Sequence, residues 1–208
     1  MIPVMIVPIL IGPKILYRML DSIDYPVSKL VIIDNGDCLN TSTGWPVDHV
    51  QSTKVIKMPA NLGVAGSWNL GIKAAPFAPW WLIVNFDVTW PAGSLKMFAE
   101  TANADEIVLS QCLQPWSAFA IGENVVKRVG LFDEGFHPAY FEDNDYARRC
   151  SGEVIKPAPI PVNHQNSSTL AAADYGEKNN RTYISNLDYF QAGGGGWSLE
   201  RRRANSWD

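Results

Sequence analysis

Four short polar clusters in this chain hold residue types that do chemistry. Asp34 and Asn35 end the apolar run KLVII (29–33), and Asn85 and Asp87 end the run WWLIV (80–84). Glu142 and Asp143 stand side by side directly after Tyr140 and Phe141, and His164 lies in PVNHQNSS. Each has a chemical and a plain structural reading. Asp34 can accept hydrogen bonds from a nucleotide base or ribose, while Asp-Asn-Gly-Asp is also good turn chemistry. Asp87 offers the hard oxygen that a divalent cation holding a diphosphate requires, or it caps a helix. Adjacent acids beside aromatic rings suit a carboxylate tuned as a base, and acids also suit a helix N-terminus. His164 can close a metal shell begun by a distant aspartate, or serve as a hydrogen-bonded loop residue.

Positioning these groups takes regular elements. Residues 2–7, 29–33, 55–58, 80–84 and 106–111 are short, apolar and rich in β-branched side chains, the pattern of buried strands. Between them run helical patterns. Ile15, Leu16, Met19, Leu20 and Ile23 follow Pro13, residues 64–75 follow a glycine-bearing loop, and Leu95, Phe98, Ala99 and Ala102 follow Pro91. Strands alternating with helices predict an α/β domain with a mostly parallel central sheet flanked by helices. Such sheets bind ligands at the carboxyl ends of their strands. The DNGD and NFDV clusters fall there.

After about residue 112 the alternation ends. WSAFAIG (116–122) reads as a strand, ENVVKRVG and FEDNDYARRC as short helices, and PAPIPV (157–162) as an extended piece at a sheet edge. Residues 170–190 read as a polar helix, and GGGG (193–196) opens a flexible tail over 191–208. Within FEDNDYARR, Asp145, Arg148 and Arg149 suit the helix itself, through the macrodipole and an i, i+4 pair.

Composition narrows the function. The chain has 208 residues, 47% hydrophobic and 18% charged, with net charge −4. That is enough apolar material for one folded domain, and the acidic balance does not fit a nucleic-acid polymer as partner. Cys38, Cys112 and Cys150 are odd in number and far apart, which fits a reducing, cytoplasmic setting. The apolar opening MIPVMIVPILIG lacks a basic start and is too short to span a bilayer, so it reads as a strand. P-loop, dinucleotide-loop, nucleophile-elbow and zinc spacings are missing.

Taken in order, the segments VPILIGPKILYRMLDSI, YPVSKLVIIDNGD, NLGVAGSWNLGIKAA, LIVNFDVTWPAGSL, VGLFDEGFHPAYFEDNDYARR and VNHQNSS resemble the family 2 glycosyltransferases of the GT-A fold. The likeness is closest to their rhamnosyl- and galactofuranosyltransferase-like branch and covers roughly residues 2–168. It implies a nucleotide-sugar-binding half over 1–112 and an acceptor and catalytic half over 113–190. Pro8 and Ile9 would lie over the base and Asp34, with Asn35, would recognise it. Asn61, Gly63 and Asn69 would line the nucleotide and sugar side. Asn85-Phe86-Asp87 stands where the family has D-x-D, so Asp87 would bind Mn²⁺ or Mg²⁺, with His164 completing the site. Asp143 would be the general base, Glu142 would face the acceptor, and Trp116 would offer it an aromatic platform.

The resemblance thus implies an inverting transfer from a uridine or deoxythymidine diphosphate sugar to a glycan or other hydroxyl acceptor. Two departures stand out. Asn85 replaces the first aspartate of D-x-D, and Ile9-Leu10 replace the usual Tyr-Asn. A degenerate transferase that only binds nucleotide or glycan is the non-enzyme alternative. A sugar-nucleotide pyrophosphorylase is the other, although PILIGPK lacks its glycine- and arginine-rich phosphate loop.

Overall fold

The computed structural model describes residues 1–40, 47–150, 154–165 and 176–194. The first part follows the expected alternation. Strand β1 (Ile2–Ile9) leads to helix α1 (Pro13–Asp21), then β2 (Val27–Asp34) and β3 (Val50–Lys57), then α2 (Gly63–Ala74) and β4 (Trp80–Val84). A two-residue strand β5 (Val88–Thr89) follows, then α3 (Ser94–Thr101) and β6 (Ile107–Gln111). The second part has a 3₁₀ turn (Pro115–Ser117), β7 (Ala118–Gly122), α4 (Glu123–Val129) and α5 (Glu142–Arg149). It ends with β8 (Ile155–Pro161), β9 (Asn163–His164) and α6 (Gly176–Gln191).

Seven strands form one sheet in the order β3-β2-β1-β4-β7-β6-β8, and β5 pairs with β9 apart from it. β7 is antiparallel to both neighbours, and the other pairs are parallel. The proline-rich β8 lies at an edge, where its missing amide donors cost least. β1 and β4 are neighbours although β2 and β3 intervene in sequence. This is the point at which the connections diverge to opposite sides, where open α/β sheets form their ligand crevice.

The period-2 pattern divides the core into two layers. Met5, Val7 and Ile9 of β1, with Leu82 and Val84 of β4, pack against Leu16 and Met19 of α1 and Phe98 of α3. On the other face Val4, Ile6 and Ile83 meet Trp68 and Ile72 of α2, Val125 of α4 and Tyr146 of α5. Among the described residues no helix is long and apolar enough to cross a membrane. Cys38, Cys112 and Cys150 are free thiols.

Several boundaries differ from the sequence reading, among them β3, which starts at Val50 where the sequence pattern predicts a strand over 55–58. The helix expected to open at Pro91 starts at Ser94, because Gly93 adopts a left-handed φ of 85° and the Ser94 amide turns back onto the Pro91 carbonyl at 3.0 Å. The strand expected from Trp116 starts at Ala118, because residues 115–117 close a 3₁₀ turn. Of the expected tail, Gln191 ends α6, the Gly194 amide bonds to Tyr189, and Arg148 donates to the Gly193 carbonyl at 2.7 Å. Residues 195–208 lie outside the described residues, as do 170–175 of the expected polar helix.

α2 sits unusually close to the sheet because Gly71 faces Ile6. A Cβ at Gly71 would lie 2.3 Å from Ile6 Cγ2. Gly71→Ala should therefore destabilise the fold by about 1–3 kcal/mol, read as a fall in Tm. The double variant with Ile6→Ala should lose less than the sum of the two single losses, because the second change makes room for the first.

Candidate active site

The end of β4 places the Asn85-Phe86-Asp87 turn. The Asn85 amide donates to the Ser117 carbonyl at 2.8 Å, fixing this turn against the 3₁₀ segment. β5 then pairs with β9, setting Val88 opposite His164. The Gln165 amide donates to the Asp87 carbonyl at 3.0 Å. As a result the His164 imidazole meets the Asp87 carboxylate, with Nε2 3.1 Å from Oδ1, and both side chains are more than nine-tenths buried. His164 Nδ1 lies 3.0 Å from Ser117 Oγ and 3.2 Å from Gln114 Oε1.

This contact is the pair that the sequence reading offered to a metal. Two ligands on adjacent corners of an octahedron with bonds of 2.0–2.1 Å stand about 3 Å apart, matching the Asp87–His164 separation. A metal-binding imidazole ordinarily donates its other N–H to an oxygen, and Ser117 Oγ and Gln114 Oε1 are in place to accept it. The carboxylate suits Mn²⁺ or Mg²⁺ that keeps substrate phosphates and water as its remaining ligands, and the imidazole fits a transition-metal ion such as Mn²⁺ better than Mg²⁺. Among the described residues no group of three His, Cys, Asp or Glu could hold a metal alone.

An open cleft of about 350 Å³ runs from His164 to the start of α5, lined by Asn85, Trp116, Glu142, Asp143 and His164 among others. Five predicted site residues thus share one cleft, while Asp87 lines a neighbouring pocket of about 250 Å³ with Arg18 and Val88, and His164 lines both. Burial raises the carboxyl of Glu142 well above the ordinary glutamate range, and the nearby Asp143 charge adds to the shift. Its Oε2 is buried without a hydrogen-bond partner. Burial also raises Asp143, which accepts the Asn144 amide at 2.8 Å. Asp145, two residues on, is different. It is 2% exposed and bonds Arg148 at 2.7 Å and Arg149 at 2.8 Å, so it serves the helix as its spacing suggested.

The backbone before the acidic pair is strained. Tyr140 and Phe141 are both left-handed, with φ of 80° and 72°, each costing on the order of 1 kcal/mol or more. α6 holds this arch in place. Asn186 donates to the Ala139 carbonyl at 2.6 Å and the Tyr140 carbonyl at 3.3 Å. The Tyr140 hydroxyl bonds Asn179, and Phe141 stacks on Phe190 with ring centroids 5.6 Å apart.

The remaining predicted residues stand behind the cleft. Pro8 and Ile9 end β1 beside Asp34 of β2. Asp34 is fully buried, and its oxygens accept the backbone amides of Gly36, Cys38 and Leu39 at 3.0–3.3 Å. Asn35 joins Ser67 at 2.8 Å and the Leu62 amide at 3.1 Å. Asn61 accepts the Gly63 amide at 2.9 Å. Gly63 has φ 73°, and a Cβ there would lie 2.7 Å from the Pro138 carbonyl oxygen. Asn69 clamps Phe132 through both of its backbone groups at 2.9 Å. Asn69 and Gly63 thus hold α2 against residues 132–138, which lead to the acidic pair.

Sequence reasoning missed Tyr183, Gln114, Ser117 and Trp68 in the cleft wall. Trp68 reads as a core residue on an apolar helix face. The others belong to turns or to α6, and the pairing that brings them to the site is long-range.

No protein-family model and no curated protein matches the chain. Solved structures do. TarS from S. aureus (residues 1–349) superposes with a TM-score of 0.58 at 16% identity, over 77% of this chain and 59% of that one. The same protein in complex with UDP-GlcNAc gives 0.58 at 15% identity, over 77% and 57%. The mannosyltransferase PcManGT from Pyrobaculum calidifontis, in complex with GDP-Man and Mn²⁺, gives 0.57 at 12% identity, over 97% and 67%. The fold is that of GT-A-type glycosyltransferases. The chain spans about three fifths of the TarS chain that it matches.

The raised Glu142 carboxyl has a consequence for stability. A carboxyl with a folded-state pKa above its unfolded value favours folding most at low pH, and that contribution is lost as pH rises towards the folded value. Glu142→Gln should therefore have a higher Tm than wild type at pH 7, and the two Tm curves should converge below about pH 4.5.

Proposed function

We propose that the chain is an inverting glycosyltransferase of the family 2 type. It moves a sugar from a nucleoside diphosphate to an acceptor hydroxyl. The observation that carries this reading is the cleft that brings His164, hydrogen-bonded to Asp87, together with Asn85 and the Glu142–Asp143 pair. Its support is a fold shared with structures that hold UDP-GlcNAc, or GDP-Man and Mn²⁺.

In the proposed reaction Asp143 takes the proton from the acceptor hydroxyl as that oxygen attacks the anomeric carbon. The bond from that carbon to the donor's phosphate oxygen breaks, and the nucleoside diphosphate leaves. Such base assistance is typically worth about 10²–10⁴-fold. Glu142, beside it, orients the hydroxyl, and Trp116 supports the sugar. Asp87 and His164 would hold Mn²⁺ or Mg²⁺, and such an ion would supply Lewis-acid stabilisation to a departing diphosphate. Asn85 adds a neutral amide at the same place. On the nucleotide side, Pro8 and Ile9 cover the base, and Asp34 and Asn35 shape the loop that recognises it. Asn61, Gly63 and Asn69 set the sugar side through α2. The donor is a uridine or deoxythymidine diphosphate sugar.

A thermal-shift panel of UDP, dTDP and GDP with and without Mn²⁺ tests the donor side. Ligand at a hundred times its Kd should stabilise by about 2.7 kcal/mol. Asp87→Ala should abolish the metal-dependent part of that shift. Equal shifts in EDTA would refute the metal assignment.

Asp143→Asn should lower transfer by about 10²–10⁴-fold while leaving the nucleotide shift in place. Near-wild-type turnover would sink the base assignment. Nucleotide binding with no donor hydrolysis or transfer for any nucleotide sugar would leave a binding module in place of an enzyme.

A further inference from the structure

The walls of the cleft carry more information about the acceptor than the motifs do. Trp68, Trp116, Tyr140, Phe141 and Tyr183 all line it. Most of these rings are engaged in the core or in the arch before α5, but Tyr183 is 46% exposed. It projects from α6 beside Tyr140 and Phe141, with ring centroids at 5.6 and 5.2 Å. It therefore presents a supported, part-open aromatic surface close to the acidic pair. The charged lining is one-sided. Glu142 and Asp143 are there, and no lysine or arginine lines the cleft among the described residues. The wall also contains two buried polar atoms without partners, one accepting and one donating: Glu142 Oε2 and Trp68 Nε1.

We propose that this cleft accepts an uncharged carbohydrate, and that Tyr183 is an acceptor-binding residue on which a sugar ring stacks. The inference rests on the glycosyltransferase reading above and names the acceptor class for it. A sugar ring has a C–H face that suits the negative face of an aromatic ring. Its hydroxyls both donate and accept, which suits a wall holding one unmet acceptor and one unmet donor. A phosphate-bearing acceptor would enter beside Asp143 with no lysine or arginine among the described lining residues to neutralise it, an arrangement opposed by charge. The volume of the cleft lies within the usual range for small-molecule sites, about 300–1,000 Å³.

The test uses the full chain and the donor found in the nucleotide panel. Neutral methyl glycosides and short oligosaccharides are compared with the same sugars carrying a phosphate. The neutral acceptors should be favoured by at least about tenfold in kcat/KM. Tyr183→Ala should raise the acceptor KM roughly three- to tenfold. Donor KM and acceptor-independent donor hydrolysis should not change, and Tyr183→Phe should behave as wild type. Because Tyr183 is part-exposed, the alanine variant should remain folded, with a Tm lowered only by the two lost ring contacts.

A preference for phosphorylated acceptors overturns the proposal. So does an unchanged acceptor KM in Tyr183→Ala, or a donor KM that rises with it. Donor hydrolysis without transfer to any neutral sugar overturns this inference and leaves the transferase reading standing. If neither hydrolysis nor transfer occurs, the transferase reading fails. Tryptophan-fluorescence titration with the same oligosaccharides then decides the carbohydrate site alone. Saturable binding that Tyr183→Ala weakens upholds it, and its absence overturns it.

Discussion

A buried carboxylate cannot sit 3.1 Å from an imidazole nitrogen by accident of packing, since both groups lose water on burial and each needs the other to compensate. Asp87 and His164 are 77 positions apart, so the contact fixes the end of the first half of the chain to the end of the second. The β5–β9 pair exists on four residues, far too few to be stable alone. It persists because β4 anchors one side and the Gln165-to-Asp87 backbone bond extends the other. The His164 side of the cleft therefore depends on this junction, and Ser117 and Gln114, which line the same cleft, orient the imidazole.

The second constraint lies in the backbone. Two consecutive left-handed residues before α5 turn the chain sharply enough to bring Glu142 and Asp143 to the cleft. Neither residue is a glycine, so the turn needs outside support. α6 provides it through Asn179, Asn186 and Phe190. The polar C-terminal helix thereby over-determines the conformation of the arch and adds Tyr183 to the cleft wall. Arg148 reinforces the link by donating to the Phe190 and Gly193 carbonyls at 3.0 and 2.7 Å.

Much of the fold was legible in the sequence. Buried strands with β-branched runs and helices with clear spacing are local signals, and β1, β2, β4, α1 and α2 formed where those signals lay. The edge position of the proline-rich strand followed from its missing donors. The antiparallel course of β7 between β4 and β6 was not legible, because strand direction is set by long-range pairing that leaves no local mark. The site divides the same way. Asn85, Trp116, Glu142, Asp143 and His164 line one cleft, although each taken alone had an equally good structural reading. Asp34 shows why residue type alone is ambiguous, since its carboxylate is engaged by the amides of its own turn. Tyr183 could not be found at all from spacing, for nothing near it in sequence marks it as facing a site.

The acidic cluster at the start of α5 shows how one short segment can separate its acids by environment. Asp145 has two arginines one turn away and is held as an ion pair within the helix and its flank. Glu142 is buried to a similar degree without a cation, so its carboxyl rises and favours the neutral form. Asp143 is less buried and keeps a backbone amide on one oxygen. A helix N-terminus alone would lower Glu142 and Asp143, but burial outweighs it in both. Two neighbouring carboxyl groups that resist ionisation to different degrees are suited to one holding a hydroxyl while the other takes its proton. That division requires only that the arch before α5 keep its strained geometry, which is why the C-terminal helix belongs to the site as much as the strand ends do.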